Sequence, residues 1–478
     1  MGREQGWEAA TAEDAMTQPL FTLDAILAAT GGRSEGVEAR SIRSISIDSR
    51  ELGPDALFVA IKGDRFDGHD FVDTALANGA AAALVSRGTG AGRITVPDAL
   101  EGLVDLARAA RARSRALIVG VTGSVGKTTT KEALRVVFEA AGETHASIKS
   151  FNNHWGVPLM LARMPETAQF GVFEMGMNAP DEIRPLSRLV KPHIGVITTI
   201  APAHLEKLGS LEAIAQAKAE IFEGIEPGGT AVINADHPQI ELLLEAAKAA
   251  GVGRVVTFGF ARGTDWQIIE AETAGDRSFA TVLHGDTRHA LAIGVAGRHM
   301  LSNATAALAV ASLAGIAPET ALRALAGFGP QPGRGQRIHL GPKEKPLLLI
   351  DESYNANTAS MTAALDVFRT VAAPDGRKVA VLGDMLELGE VGPALHAGLA
   401  DTVAASGADK VYLVGSNMAR LAEALPAALF SRHFTSVDQA LPELLAALAY
   451  GDAVMVKGSN GVGLSRLVAA IKDKFQHS

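Results

Sequence analysis

The chain contains no cysteine, so disulfides, thiolate metal sites and cysteine nucleophiles are excluded. Aromatic residues are scarce, with three Trp and three Tyr, whereas Gly alone counts 50. That balance favours tightly packed helix-on-sheet layers with many loop glycines. An excess of positive charge is also missing: 44 Lys and Arg face 53 Asp and Glu, a net charge of −9. A nucleic acid as main partner needs a basic face, which this balance argues against. No stretch reaches the roughly 18 consecutive apolar residues of a membrane helix, so no membrane insertion is expected. The first residues, MGREQGWEAATAEDAM, are acidic and polar and lack the order of a secretion signal. They read as a loose tail, with the cytoplasm as the expected compartment.

What is present is ordinary for a globular enzyme, with 47% apolar and 20% charged residues. A chain of 478 residues is too long for one hydrophobic core and implies several domains. Three blocks emerge, at 1–97, 98–329 and 330–478. The first reads as a small α/β unit, with FTLDAILAAT and DFVDTALANGA helical and SISIDSR and DALFVAI as strands. The second alternates the apolar runs ALIVGVTG, FGVFEMG, HIGVITTI and TAVINAD with amphipathic segments, a doubly wound parallel pattern. The Gly- and Pro-rich GPQPGRGQ marks a hinge. Beyond it PLLLIDES, KVAVLGD, KVYLVGS and DAVMVKGS predict a third, Rossmann-like α/β unit.

The strongest chemical signal is VGVTGSVGKTTTKEAL, where a strand runs into a glycine-rich turn and then a helix. Glycines let backbone N–H groups approach phosphates, and the helix N-terminus adds positive potential. Lys127 can reach the outer phosphates, and the Thr128 hydroxyl can hold Mg²⁺. The loop is a shortened variant, because Val121 stands where the longer pattern has its first glycine. Glu174 ends the strand FGVFEMG and His204 follows HIGVITTI. Carboxyl ends of strands line the ligand crevice of a doubly wound sheet, and a carboxylate with an imidazole suits a divalent cation. Lys218, in AQAKAEIF, reads locally as a snorkelling surface lysine.

TGSVGKTTT, FEMGMNAPDEI, TTIAPAHLEKLGS, AKAEIF, GRHMLSNATAAL and PGRGQ occur in the order seen in the Mur ligases, and the chain resembles that family from about residue 20 onward. These are three-domain, ATP-dependent amide-bond ligases of peptidoglycan assembly. SFNNHWGVPL, DESYNAN and LGDMLELGE look like the member that adds D-alanyl-D-alanine to UDP-N-acetylmuramoyl-tripeptide. The DNPR motif of the tripeptide-forming member is absent. A folylpolyglutamate-type relative shares the ATP chemistry, and a non-catalytic nucleotide switch is the rival from another class.

The resemblance implies roles position by position. Thr122, Gly123, Ser124, Val125, Gly126, Lys127, Thr128 and Thr129 would cradle the ATP phosphates. Thr128 and Glu174 would hold one Mg²⁺ and His204 a second, with Lys218 as its carbamate beside them. Asn303 would contact adenine, Arg334 the γ-phosphate, and Asp351 or Glu352 the ribose. Ser49, Arg50, Lys62, Gly63, Asp67, Gly68 and His69 match the uridine-diphosphate region, and Asn152, Asn153 and His154 a loop that meets the nucleotide-peptide. Tyr354, Asn355 and Asn357 would approach the dipeptide, with Lys457, Gly458 and Ser459 near the third-domain cleft. The catalytic set is thus Lys127, Lys218, His204, Glu174 and Arg334, working in a monomer.

Overall fold

The computed structural model describes residues 18–63, 66–148, 151–203, 205–373 and 375–476. The strand Leu117–Thr122 lies inside a nine-stranded sheet, flanked in parallel by Phe170–Glu174 and Ile194–Ile197. Apart from Glu174, which ends its strand, every residue of these runs is apolar or small because both faces of the sheet are covered. Ile118, Phe173 and Ile197 point into one core; Val119, Val121, Val172 and Val196 point into another. The parallel part continues through Thr230–Asn234 and Arg254–Gly259, and Thr144–Ala146 forms the far edge.

The sheet also carries an antiparallel meander that the parallel pattern did not predict. Trp266–Ala274, Arg277–His284 and Thr287–Ile293 pair in succession, joined by two-residue Gly-Asp loops. Their signal was alternation, as in SFATVL, rather than an apolar run, because only one face is covered. That face packs on the buried helix Arg298–Leu313.

The first domain holds a five-stranded sheet in the order Arg33–Glu35, Arg93–Thr95, Ala82–Val85, Ala56–Val59, Ser44–Ser46. Asp98 caps the following helix, Ala99–Arg113, by accepting from Leu100 N and Glu101 N, satisfying amides that have no partner within the helix. Leu103, Leu106, Ala107 and Ala110 of this helix share one core with Leu57, Leu84 and Ile94 of the first domain and Leu159 and Leu161 of the second.

The third domain has a six-stranded sheet, ordered Gln336–Leu340, Leu347–Glu352, Ala453–Lys457, Lys378–Gly383, Lys410–Val414, Phe430–Phe434. All pairings are parallel except that of the edge strand Gln336–Leu340. Leu348 and Ile350 face one core and Leu347 and Leu349 the other. Among the described residues no helix is long and apolar enough to cross a membrane.

Candidate active site between the second and third domains

The strand Leu117–Thr122 ends in the glycine loop, and the helix Lys127–Glu139 starts immediately after it. Gly126 has φ 88°, and a Cβ there would stand 2.5 Å from Asn303 Oδ1. Asn303 therefore rests directly on the loop, and only glycine fits beneath it. The loop is tied to its neighbouring strand end: Thr198 Oγ1 donates to Val125 O at 2.6 Å and Ser124 N to Thr199 O at 2.8 Å. Lys127 curls back so that Nζ donates to Gly123 O at 2.7 Å. Ser124 Oγ is buried in the cavity wall without a partner among the described residues, as expected of a hydroxyl that meets a phosphate oxygen.

A relay of polar contacts crosses the cleft. Asn152 Nδ2 donates to Glu174 Oε1 at 2.8 Å, and Thr128 Oγ1 donates to Glu174 Oε2 at 2.9 Å. Arg334 Nη2 reaches Thr128 Oγ1 at 3.1 Å from the hinge, its guanidinium 4.3 Å from the Tyr354 ring centre. Together these residues line a cavity of about 460 Å³. Its second-domain wall includes Thr129, Asn234, His299 and Asn303; its third-domain wall includes Glu352, Tyr354, Asn355, Asn357 and Lys457.

Electrostatics around this cavity follow from burial; Lys127 lines it and Lys218 does not. Burial lowers the pKa of Lys127; the Glu174 carboxylate acts against this and Arg334 adds to it. Lys218, on the helix Leu211–Ala219, is 2% exposed, so the surface reading of its local sequence is reversed. Its pKa lies well below the ordinary lysine value, first through burial and then through the nearby cation Lys127. A shift in this direction favours loss of the proton, and the neutral amine is the form that can take up CO₂. The adjoining hydroxyl and carboxylate of Thr128 and Glu174 are hard oxygen donors of the kind Mg²⁺ takes. His204 lies outside the described residues.

The ribose alternatives separate clearly. Asp351 accepts from Ser353 N, Ser353 Oγ and Gly333 N, which uses its carboxylate to fix the hinge turn. Glu352 lines the cavity instead. Asn357 lines the cavity while capping the helix Thr358–Arg369, with its side chain accepting from Ser360 N.

The loop candidates also divide. Asn152 faces the cavity, whereas Asn153 Oδ1 accepts from Gly156 N at the start of the helix Gly156–Ala162. His154 lines a separate groove with Arg108, Arg111 and Arg184. In the first domain, Asp67 accepts from His69 N and from His69 Nδ1 at 2.6 Å; His69 Nε2 accepts from Ser86 N. These contacts with His69, above all its backbone N–H, pull the Asp67 carboxyl down to about 2. Lys62 and Asp67 form an antiparallel backbone β-bridge, Gly63 N donates to Phe66 O and Gly68 N to Ile61 O. Arg50 is paired with Asp48, and Ser49 O accepts from Asn78. None of these first-domain residues lines the cavity.

Three family models match in sequence order: the Mur ligase family catalytic domain at 41–111, the Mur ligase middle domain at 121–311, and the Mur ligase glutamate ligase domain at 333–460. A protein of Bacillus subtilis named UDP-N-acetylmuramoyl-tripeptide--D-alanyl-D-alanine ligase is 35% identical over 90% of this chain and 93% of its own. The chain belongs to the Mur ligase family. The crystal structure of MurF from Acinetobacter baumannii superposes with a TM-score of 0.83 at 30% identity, covering 95% of this chain and 99% of that one. MurF from Thermotoga maritima, solved with ADP, gives 0.76 at 27% identity over 91% and 98%. Both share the three-domain Mur ligase fold.

Several cavity residues of this Mur ligase were not singled out in the sequence. Asn234 donates to Thr198 O at 2.7 Å and so braces the strand end that carries the loop contacts. It closes the apolar run TAVIN just as Glu174 closes FGVFE, so the strand-end rule could have found it. Thr199, just past the strand Ile194–Ile197, follows the same rule. His299 had no such signal; the packing of the helix Arg298–Leu313 brings it to the cavity.

Proposed function

We infer that this Mur ligase joins D-alanyl-D-alanine to UDP-N-acetylmuramoyl-tripeptide with ATP, in peptidoglycan precursor synthesis. The observation that carries this is the near full-length match to ligases of that name, together with a phosphate loop closed by Arg334 from the third domain. In the first step a carboxylate oxygen of the tripeptide attacks the γ-phosphorus, the bond to the β-phosphate oxygen breaks and ADP leaves. In the second the dipeptide amine attacks the acyl carbon, losing a proton, and inorganic phosphate departs. Little covalent help is required, so the residues act by holding phosphates and cancelling charge. Lys127, the first-turn N–H groups and Ser124 would hold the outer phosphates, and Arg334 would meet the γ-phosphate on closure. Asn303 would meet the adenine and Glu352 the ribose; Tyr354, Asn355 and Asn357 would border the dipeptide. The first-domain turn around Asp67 and His69 would take the uridine diphosphate.

Thr128 and Glu174 would hold Mg²⁺, which when bound cancels phosphate charge, and Lys218 as a carbamate would present an oxygen pair to a second ion with His204. We take the working units as 1–97, 98–329 and 330–478, acting as a cytoplasmic monomer. Phosphate release from ATP should require both the nucleotide-tripeptide and D-alanyl-D-alanine. Brisk release with diaminopimelate and a nucleotide-dipeptide would refute the assignment. In the same assay Lys218→Ala should abolish turnover, with partial return on adding short carboxylic acids. Near-normal turnover of that variant would remove the carbamate.

A further inference from the structure

The cavity contains one buried cation that the ligation steps leave without a task. Lys457 ends the strand Ala453–Lys457, and its side chain is 3% exposed. The parallel register sets Lys457 directly beside Glu352. Its ammonium donates to Glu352 Oε2 at 3.4 Å and to Asn355 O at 3.1 Å. A buried ammonium persists only where acceptors offset its lost hydration, and these two belong to different jobs. Both line the cavity; in the ligase reading Glu352 would face the nucleotide, and Asn355 would belong to the loop that borders the dipeptide. The residues after Lys457 reinforce the second contact, since Ser459 Oγ donates to Ala356 O at 3.2 Å.

We propose that Lys457 is a positioning residue that fixes the ribose carboxylate Glu352 and the dipeptide loop at Asn355 in one geometry. A single ammonium then sets where the nucleotide stands relative to the incoming amine. This rests on the ligase reading of the site. Burial pushes the Lys457 pKa down, the Glu352 carboxylate acts against this, and Arg334 adds to it. Because the two contacts diverge, losing Lys457 should disturb both substrates, whereas losing the Glu352 charge should disturb the nucleotide alone.

The test compares wild type with Lys457→Met, Lys457→Gln, Glu352→Gln and the Met–Gln double variant. Binding of ATP and 2′-deoxy-ATP is followed by calorimetry, and the KM for D-alanyl-D-alanine by phosphate release. Lys457→Met should erase most of the preference for ATP over 2′-deoxy-ATP and raise the dipeptide KM by about tenfold, the size of one lost charged hydrogen bond. Glu352→Gln should reduce the ATP preference and leave the dipeptide KM within about twofold. In the double variant the ATP preference should equal that of Glu352→Gln, because the two residues act through one contact. Should Lys457→Met fail to fold, Lys457→Gln keeps a donor without charge and should show the same split at smaller size. Unchanged ATP preference and dipeptide KM in the folded Lys457 variants, or additive losses in the double variant, would overturn the proposal. Failure of the wild type to use D-alanyl-D-alanine would instead strike the ligase reading, and the calorimetric comparison still decides the Glu352–Lys457 coupling.

Discussion

The joint between the first and second domains and the joint between the second and third are built from opposite materials. At the first joint, Leu103, Leu106, Ala107 and Ala110 of one helix belong to a core that runs without a break from Leu57 and Leu84 to Leu159 and Leu161. Arg163 Nε donates to Ile45 O across it. At the second joint no core cluster spans the domains among the described residues. Polar contacts cross there: Arg334 on Thr128, His299 beside Glu352 and Lys457, and Glu206 N on Glu387 O. Between them lies a cavity rather than packed side chains. A shared apolar core cannot open without exposing its surface to water, at about 25 cal/mol per Å². A polar seam exchanges its contacts for water at small net cost. On this contrast we propose that the first domain is a fixed platform and the third a clamp.

The largest test of this contrast is Arg334→Ala. If Arg334 meets the γ-phosphate chiefly in the closed state, kcat should fall by about 10²-fold or more while ATP affinity changes little. A change confined to the ATP KM would show that the contact is made equally in open and closed forms, and the clamp reading would fail. Saturating nucleotide and uridine substrate should also shrink the radius of gyration.

Leu106→Ala probes the other joint. Truncating a fully buried leucine should cost about 2–5 kcal/mol of stability, read as a lower melting temperature, with kcat largely kept below the transition. A loss of kcat at unchanged stability would mean that this joint moves during turnover.

A smaller effect is expected from Gly389→Ala. Gly389 has φ 59°, and a Cβ there would approach Glu206 Cα at 3.0 Å across the second joint. The strain, about 1–2 kcal/mol, should fall on the closed form and lower kcat about five- to tenfold, with melting little changed. Equal loss in kcat and in thermal stability would place that contact in the fold rather than in closure.

Some of this was settled by residues alone. The apolar runs were legible as strands because both faces of those sheets are buried, leaving an unbroken signature. The turn from Thr122 to Thr129 was legible because phosphate binding constrains backbone, and backbone constraint is written locally as glycine. Family motifs carried Glu174, Asn303 and Arg334, and all three line the same cavity. The meander 266–293 escaped because one-sided burial leaves only alternation. Only the tertiary structure decided that Lys218 is buried beside Lys127, since a lysine between alanines has the same local sequence inside or outside. It also separated Glu352 from Asp351, because a strand's neighbouring residues point to opposite faces and only the packed sheet says which face is the cavity. The pairing of Lys457 with Glu352 was likewise beyond any local reading: 105 positions separate them, and parallel register alone brings the two charges together.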